Sequence, residues 1–318
     1  MLQQTTVAAV RKRYFPFLSR FPDVHALARA REEDVLAAWS GLGYYARARN
    51  LRHAARAIVR EHEGKIPATP TELDRLPGFG EYMAAAVASL AFGARVPAAE
   101  ANVDRVLSRL FALRGSAGSG ALRRRVLARA ASLLPDRRPG DLAAALMDLG
   151  QTICTPRRPA CPACPVSSLC AARRLGDPER FPRRRARPAP VVVALAAAVV
   201  EQRGRVLLVR RRSSWLDGLW EFPSAEGQSP GEARRRLSKR IEELGLELAP
   251  APPIGRARHA VVNRRLDISV FRAYRARPVA AANGRRGDGS RWFRPGELDT
   301  AAVPTLTRKI AAAGLRPG

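Results

Sequence analysis

Four cysteines lie close together near the middle of the sequence, at Cys154, Cys161, Cys164 and Cys170, and the chain contains no others. Their spacing is Cys-x6-Cys-x2-Cys-x5-Cys. Structural zinc sites usually combine two close cysteine pairs, whereas only Cys161 and Cys164 form such a pair here. Four thiolates in one compact loop suit a [4Fe-4S] cluster, although the spacing differs from that of ferredoxins. The pattern favours an iron-sulfur loop over residues 154–170, with zinc binding and unligated thiols as alternatives.

A glycine hairpin and a later carboxylate form a second candidate site. The sequence LPGFGEY predicts a short helix ending at Pro77, a hairpin at Gly78 and Gly80, and a second helix. Amides at the start of that helix can seat a phosphate; a tight helical corner without DNA is the alternative. Twenty residues after Gly80, Glu100 precedes another helix with Asn102 in its first turn. A catalytic carboxylate and ordinary helix capping are both compatible with that position.

The formal net charge of +28 indicates a polyanionic partner. A GC-rich genome explains why arginine replaces lysine almost everywhere. It does not explain 56 basic against 28 acidic residues, and that excess favours binding to nucleic-acid phosphates. No stretch approaches the ~20 apolar residues of a membrane span, and no signal peptide is recognisable. We therefore expect a cytoplasmic protein that does not bind membranes.

The elements that must position these residues change along the chain. Up to about residue 150, apolar residues recur three and four apart, for example over 23–39 and 44–62, which predicts helices. Arginine and proline then predict a linker over 176–190. Beyond it, a strand hairpin, one amphipathic helix and further strands predict an α+β region. The predicted domains are therefore residues 1–175 and 191–318.

Together these motifs resemble the iron-sulfur branch of the helix-hairpin-helix DNA glycosylase superfamily. Within it the chain is similar to the MutY-type adenine DNA glycosylases in LQQT, WSGLGYYARARNL, LPGFGEY, ANVDRVLSRL, MDLGQTICTPRRPACPACP and LWEFP. The resemblance covers nearly the whole chain. It implies a mainly α helix-hairpin-helix glycosylase domain with a [4Fe-4S] loop, followed by an α+β Nudix-like domain. It also implies a monomeric, monofunctional DNA N-glycosylase of the bacterial nucleoid, which excises adenine mispaired with 8-oxoguanine or guanine in double-stranded DNA.

The resemblance also suggests which residues contact DNA. Adenine must leave the base stack before its bond can be cut, and a wedge must replace it. The lesion side of the duplex is expected to be contacted by Gln4, Thr5, Leu42 and Tyr44; core packing is the alternative for these stretches. Endonuclease III-like relatives carry a Schiff-base lysine two residues after the second hairpin glycine. This chain has Tyr82 there, which disfavours an endonuclease III-like pyrimidine glycosylase.

Cleavage of the N-glycosidic bond needs an acid for the base and a carboxylate for the oxocarbenium-like sugar. The resemblance places Glu100, Asn102 and Tyr82 at this centre, with Glu100 where the family carries aspartate. The family's acid is a glutamate that would precede Met1. We therefore expect a truncated N-terminus, with MLQQTT lying in the middle of a helix. A catalytically impaired lesion-binding protein is the main alternative to an active enzyme.

The C-terminal region resembles a Nudix domain that has lost its hydrolase motif. Its helix retains Glu242 and Glu243, but Ser238-Lys239 stands where the resemblance expects an Arg-Glu pair for metal binding. Recognition is therefore favoured over pyrophosphate hydrolysis. The lesion-reading loop of the family corresponds here to residues 261–263, where Asn263 is the polar reader. His259, just before it, is expected to be a packed structural residue.

Overall fold

The computed structural model describes residues 1–3, 5–186, 188–211, 217–275 and 289–315. The chain divides into two compact units. The first combines Met1–Arg56 with Pro188–Gly318, and the second is Ala57–Arg187. Within the described residues, no helix combines the length and apolar character needed to cross a bilayer.

Helices dominate the first part of the chain and recur singly later. In chain order the α-helices are α1 (Val7–Arg20), α2 (Val24–Arg29), α3 (Glu32–Ala38), α4 (Ala46–Glu61), α5 (Pro70–Asp74), α6 (Glu81–Phe92), α7 (Ala101–Leu110), α8 (Gly120–Ser132), α9 (Pro139–Thr152), α10 (Ala171–Arg174), α11 (Pro230–Glu242) and α12 (Thr305–Gly314).

The strands among the described residues all lie in the first unit. They are β1 (Val191–Gln202), β2 (Arg205–Arg210), β3 (Trp220–Glu221), β4 (Ser224–Gly227), β5 (Leu246–Leu248), β6 (Gly255–Val261), β7 (Arg264–Arg275) and β8 (Ser290–Phe293). The sheet has the order β3-β2-β1-β7-β5, with β8 on β2, β4 on β1 and β6 on β7. At its centre β1 and β7 run parallel, and the other pairs are antiparallel.

The alternation of side chains along β1 gives the sheet two buried faces. Ala196 and Val200 belong to the core that α11 covers. Leu195 and Val199 point to the opposite side, where they join a core shared with α12 and the helices α1–α4. Because both faces are covered, β1 has seven consecutive buried residues instead of alternating apolar and polar ones.

The N-terminal helices are therefore part of the core of the first unit. Leu36 is fully buried and Trp39 is 2% exposed in the same apolar cluster as Leu219 and Leu306. Polar groups reinforce this packing, since Ser40 Oγ and Tyr45 OH donate to the carbonyl of Val303 at 3.1 and 3.0 Å. Trp220 Nε1 donates to Glu33 Oε1 at 3.0 Å. Residues far apart in sequence thus complete one hydrophobic core.

This shared core gives a testable expectation for Leu36→Ala. Deleting a fully buried leucine leaves a cavity, which typically costs about 2–5 kcal/mol. Urea denaturation followed by tryptophan fluorescence measures the loss. Leu18→Ala on α1 is the matched control, because Leu18 is 41% exposed, and it should change the free energy of unfolding by less than about 1 kcal/mol. Equal losses in the two variants would contradict the packing described.

The second unit is helical. Its main core lies between α7, α8 and α9, with Leu107, Leu122 and Val126 almost completely buried. The chain following α10 also belongs to this unit. Phe181, which lies in the predicted linker, is 7% exposed and accepts a hydrogen bond from buried Arg109. The stretch is arginine- and proline-rich, yet one aromatic side chain anchors it. The domain boundaries predicted at 175 and 191 stay a prediction, and the spatial grouping of the chain differs from them.

The structure differs from three local expectations. The helix expected to run through MLQQTT begins only at Val7, because Thr6 caps it by accepting the amide of Ala9 at 3.4 Å. The helical pattern over 23–39 is two helices, since the chain turns extended at Ala30 and Arg31. In addition, the short helix before the hairpin ends at Asp74, three residues earlier than expected.

Candidate functional site

The glycine hairpin of the second unit connects α5 to α6. Gly78 has φ of 79°, in the left-handed region where a side chain is strained, so a glycine suits this turn. Gly80 is the N-cap residue of α6 and forms no side-chain cap. The amides of the first helical turn are therefore free of a cap, and Gly78 and Gly80 are exposed. This geometry is that of an exposed helix N-terminus that can accept a phosphate oxygen.

Tyr82 lies in the first turn of α6 and is half-buried. Its hydroxyl donates to Met147 Sδ on α9 at 3.8 Å. Burial, and then the negative charge of Glu100, raise the pKa of Tyr82 above its usual value. The phenol therefore stays neutral and protonated near pH 7. Because Glu100 acts on its pKa, the tyrosine and the carboxylate belong to one electrostatic environment.

Glu100 is the N-cap residue of α7. Its Oε1 accepts the amide of Asn102 at 2.9 Å, so the capping suggested by the sequence is present. The Asn102 side chain points elsewhere, where its Oδ1 accepts from Arg105 Nη2 at 2.8 Å. Close packing fixes this helix start, because a Cβ at Gly150 on α9 would lie 2.7 Å from the Cβ of Asn102. The carboxylate is thus held by backbone geometry.

The four cysteines follow α9 in a loop with only short helical turns. Cys161 begins the first of two 3-10 turns and Cys170 follows the second, and all four side chains are half-buried free thiols. Burial, and then the proximity of Cys154, Cys170 and Cys164, raise the pKa of Cys161. The four thiols therefore lie close enough to influence one another electrostatically. No group of three or more described His, Cys, Asp or Glu residues is close enough to hold a single metal ion.

Two arginines of α7 hold this loop. Arg109 is 3% exposed and donates to Cys154 Sγ at 3.3 Å, to the carbonyl of Thr155 at 2.7 Å and to that of Phe181 at 3.1 Å. Its own carbonyl accepts from Cys170 Sγ at 3.5 Å. Arg105 donates to the carbonyl of Cys154 at 2.7 Å. Burial lowers the pKa of Arg105, although arginine stays charged near pH 7.

The surroundings of Cys154 suit a negatively charged sulfur. The buried guanidinium of Arg109 lies on Cys154 Sγ, and such a contact favours a thiolate that serves as a ligand.

The predicted DNA-contacting residues of the first unit differ in how exposed they are. Tyr44 is 52% exposed, whereas Leu42 is buried at 5% and packs in the core. The expected contact of the Leu42 side chain with DNA is therefore not available in this arrangement, because the side chain faces inward. Thr5 is half-buried and donates to the carbonyl of Leu42 at 3.3 Å. Gln4 lies outside the described residues.

The predicted reading loop is the turn between β6 and β7. Asn263 is exposed there, and its carbonyl accepts the amide of Val191 at 2.8 Å. Val262 beside it is 87% exposed, with φ of 54°. A β-branched residue is strained in that left-handed conformation. His259 does not project from the turn. It is half-buried beside α12, where burial, and then Lys309, lower its pKa.

Sequence reasoning missed the arginines at the site. Arginine is so frequent in this chain that the residue type of Arg47 and Arg109 carried no signal. Arg109 is buried beside the apolar stripe of α7, in a row with Asn102 and Arg105, so its spacing did not mark it either. The position of Arg47 did carry a signal. Arg47 lies in the first turn of α4, where a cation opposes the helix dipole.

Comparison with known proteins identifies the families of both parts of the chain. Residues 1–130 match the family model described as HhH-GPD superfamily base excision DNA repair protein, and residues 195–313 match that of the NUDIX domain. The adenine DNA glycosylase of Homo sapiens is 33% identical over 374 residues, spanning 100% of this chain and 67% of that protein. The adenine DNA glycosylase of Mycolicibacterium smegmatis is 39% identical over 226 residues, spanning 69% of this chain and 74% of that protein.

A solved structure of a thermostable thymine-DNA glycosylase gives a TM-score of 0.49 at 28% identity, covering 55% of this chain and 80% of that one. The two family-model matches identify a helix-hairpin-helix base excision repair protein with a C-terminal NUDIX domain. Similarity over the full length of the chain identifies a narrower family. The chain belongs to the adenine DNA glycosylase family.

Proposed function

We propose that this protein is a DNA N-glycosylase of base excision repair that releases adenine paired with 8-oxoguanine or guanine. The observation that carries the chemistry is the placement of Glu100 at the start of α7, where its charge acts on Tyr82 behind the hairpin. A carboxylate fixed by a helix cap can stabilise the positive charge that develops on the sugar.

Tyr82 favours a monofunctional reaction. A neutral phenol cannot form the imine that a lyase requires. Water, and not an enzyme amine, therefore attacks the sugar carbon from which adenine departs. Burial and Glu100 both keep this phenol protonated. In that state it can donate a hydrogen bond within the site without competing as a nucleophile. Asn102 is proposed to complete the centre through its amide, which orients the Glu100 carboxylate.

The hairpin and the first unit are proposed to hold the duplex. The exposed amides after Gly80 suit a backbone phosphate. Tyr44, the exposed aromatic of the first unit, suits insertion into the gap that flipped adenine leaves. Thr5, Gln4 and Asn263 are proposed to contact the base that stays in the duplex, and Leu42 supports them from the core.

A [4Fe-4S] cluster is proposed to be bound by Cys154, Cys161, Cys164 and Cys170. When bound, it supplies four covalent attachment points to a loop that has only short turns of its own. Arg109 and Arg105 then hold the start of that loop against α7 through Cys154. Ultraviolet-visible absorbance with iron and sulfide analysis of the purified protein tests this assignment, and stoichiometric zinc in place of iron would contradict it.

Single-turnover base release tests the proposed reaction. Labelled duplexes should carry adenine opposite 8-oxoguanine, guanine or thymine, and each product should be treated with hot alkali to reveal abasic sites. We expect release opposite 8-oxoguanine and guanine and none opposite thymine. Borohydride should trap no covalent complex. Release of oxidised pyrimidines with trapping would support the endonuclease III-like alternative.

A lesion-binding protein without catalysis is the second candidate. Glu100 in place of the family's aspartate is the observation that favours it, because an extra methylene displaces the carboxylate, and a shift of about 1 Å can cost roughly 100-fold in rate. Tight and selective binding of the 8-oxoguanine duplex without any base release would identify this function. In either case we propose action as a monomer, on the nucleoid DNA of the bacterial cytoplasm.

A further inference from the structure

Tyr44 is held in an unusual conformation at the end of a tight turn. Gly41, Gly43 and Tyr44 have φ values of 94°, 67° and 47°. Left-handed backbone is natural for the glycines but strained for tyrosine, which persists there only when its surroundings hold it. The next residue, Tyr45, is buried and bonded to Val303. The turn thus exposes one tyrosine while it anchors the other.

The group that holds Tyr44 is Arg47. Its guanidinium carbon lies 5.2 Å from the centre of the Tyr44 ring and 5.6 Å from that of Trp39. Both distances are within the range of a cation–π contact. Trp39 is itself fixed, because it is 2% exposed and its Nε1 donates to the carbonyl of Gly43 at 3.1 Å. The guanidinium of Arg47 therefore connects the buried Trp39 ring to the exposed Tyr44 ring.

The same guanidinium fastens the N-terminal stretch to the turn. Nη1 donates to the carbonyl of Met1 at 3.0 Å and to that of Gln3. Nη2 donates to Thr5 Oγ1 at 2.8 Å and to the carbonyl of Leu42 at 3.3 Å. These acceptors are carbonyls and a hydroxyl, and no ion pair of Arg47 occurs among the described residues. Its Nε–H is buried without a partner.

Helix stability does not explain this arginine. Arg47 lies in the first turn of α4, where the helix dipole disfavours a cation, and the first turn carries no acidic residue. Burial lowers the pKa of Arg47, so its surroundings disfavour the charge as well. A planar fork that bonds two chain segments and contacts two rings uses what only arginine offers.

We propose that Arg47 is a positioning residue that holds Tyr44 together with Met1, Gln3 and Thr5 as one preformed wedge for lesion-containing DNA. This inference rests on the proposed function, since the wedge acts on the duplex from which a base is removed. Because the ring is already held in place before binding, little conformational freedom is lost when it enters the stack. Arg47 acts through Tyr44 and does not touch the reacting atoms.

Arg47→Lys tests the proposal, because it keeps the charge but loses the fork and the planar contact. Arg56→Lys, at an exposed position of the same helix, is the matched control. Two affinities are measured. The first is for a duplex with 8-oxoguanine opposite the non-cleavable analogue 2′-deoxy-2′-fluoroadenosine, the second is for an undamaged duplex, and the result is their ratio. This ratio does not depend on the folded fraction. We expect Arg47→Lys to lower it roughly tenfold and Arg56→Lys to leave it within about twofold.

A double-mutant cycle with Tyr44→Ala separates positioning from general damage. If Arg47 acts through Tyr44, Arg47→Lys should have little further effect on the ratio once the ring is removed. An undiminished effect in the Tyr44→Ala background, or a ratio equal to that of Arg56→Lys, would overturn the proposal. Failure of the parent protein to discriminate the two duplexes would instead count against the proposed function.

Discussion

Glu100→Gln should reduce the single-turnover rate of adenine release by roughly 100- to 1000-fold, the usual effect of removing one electrostatic contact to the transition state. The variant removes the negative charge that would face the sugar cation. It keeps the helix cap, because the amide oxygen of glutamine can still accept the Asn102 amide that Glu100 binds at 2.9 Å. Duplex affinity should therefore stay within about twofold of the parent.

Two companion variants make this result specific. Glu100→Asp keeps the carboxylate and restores the family's residue, so it should match or exceed the parent rate. Glu63→Gln removes an exposed carboxylate of the second unit from the turn after α4 and should leave the rate nearly unchanged. A Glu100→Gln variant as fast as its parent would show that the carboxylate only caps α7. Burst amplitudes should be measured with each rate, so that inactive protein is not mistaken for slow chemistry.

Arg109→Met is expected to destabilise the second unit by about 2–4 kcal/mol, since buried acceptors that lose a donor cost about 1–3 kcal/mol each. Methionine fills a similar volume but donates no hydrogen bond. The carbonyls of Thr155 and Phe181 and the Sγ of Cys154 would all lose their donor. The loop and the stretch that follows α10 should loosen together, because Arg109 is bonded to both.

Urea denaturation and the visible absorbance of the proposed [4Fe-4S] cluster measure the two consequences of Arg109→Met. The urea midpoint of unfolding should fall. The half-life of the absorbance in the presence of a chelator should fall as well. Arg124→Met removes an exposed arginine from α8 and should change the free energy of unfolding by less than about 0.5 kcal/mol. Arg109→Lys restores the charge without the fork and should recover only part of the loss. Unchanged cluster retention in Arg109→Met would exclude a role of Arg109 in holding the loop.

The sequence predicted the fold class and the main helices and strands, because periodicity and glycine turns are local signals. It could not predict that α1–α4 share a core with β1 and α12, since that packing joins residues with no local relation. The apolar face of α3 shows only that Leu36 is buried. It does not show that Leu36 joins the same cluster as Leu219.

The candidate site was predictable where residue type and spacing were unusual. Cysteines are scarce and clustered, and Glu100 follows the hairpin at a recognisable distance. Leu42 was assigned to DNA because it lies in a motif with Tyr44, but a side chain's direction depends on the turn. The left-handed residues Gly41 and Gly43 turn Leu42 inward and leave Tyr44 outside.

The first unit is assembled from the two ends of the chain, and this has a consequence for its folding. During synthesis α1–α3 emerge long before the sheet that completes their core. The segment Ala57–Arg187 can close its own helices first, because its contacts are more local. Until α12 is made, Leu36 and Trp39 lack the partners that bury them, and exposed apolar surface promotes aggregation. We therefore expect nascent chains that lack α12 to need chaperone protection that the completed protein does not.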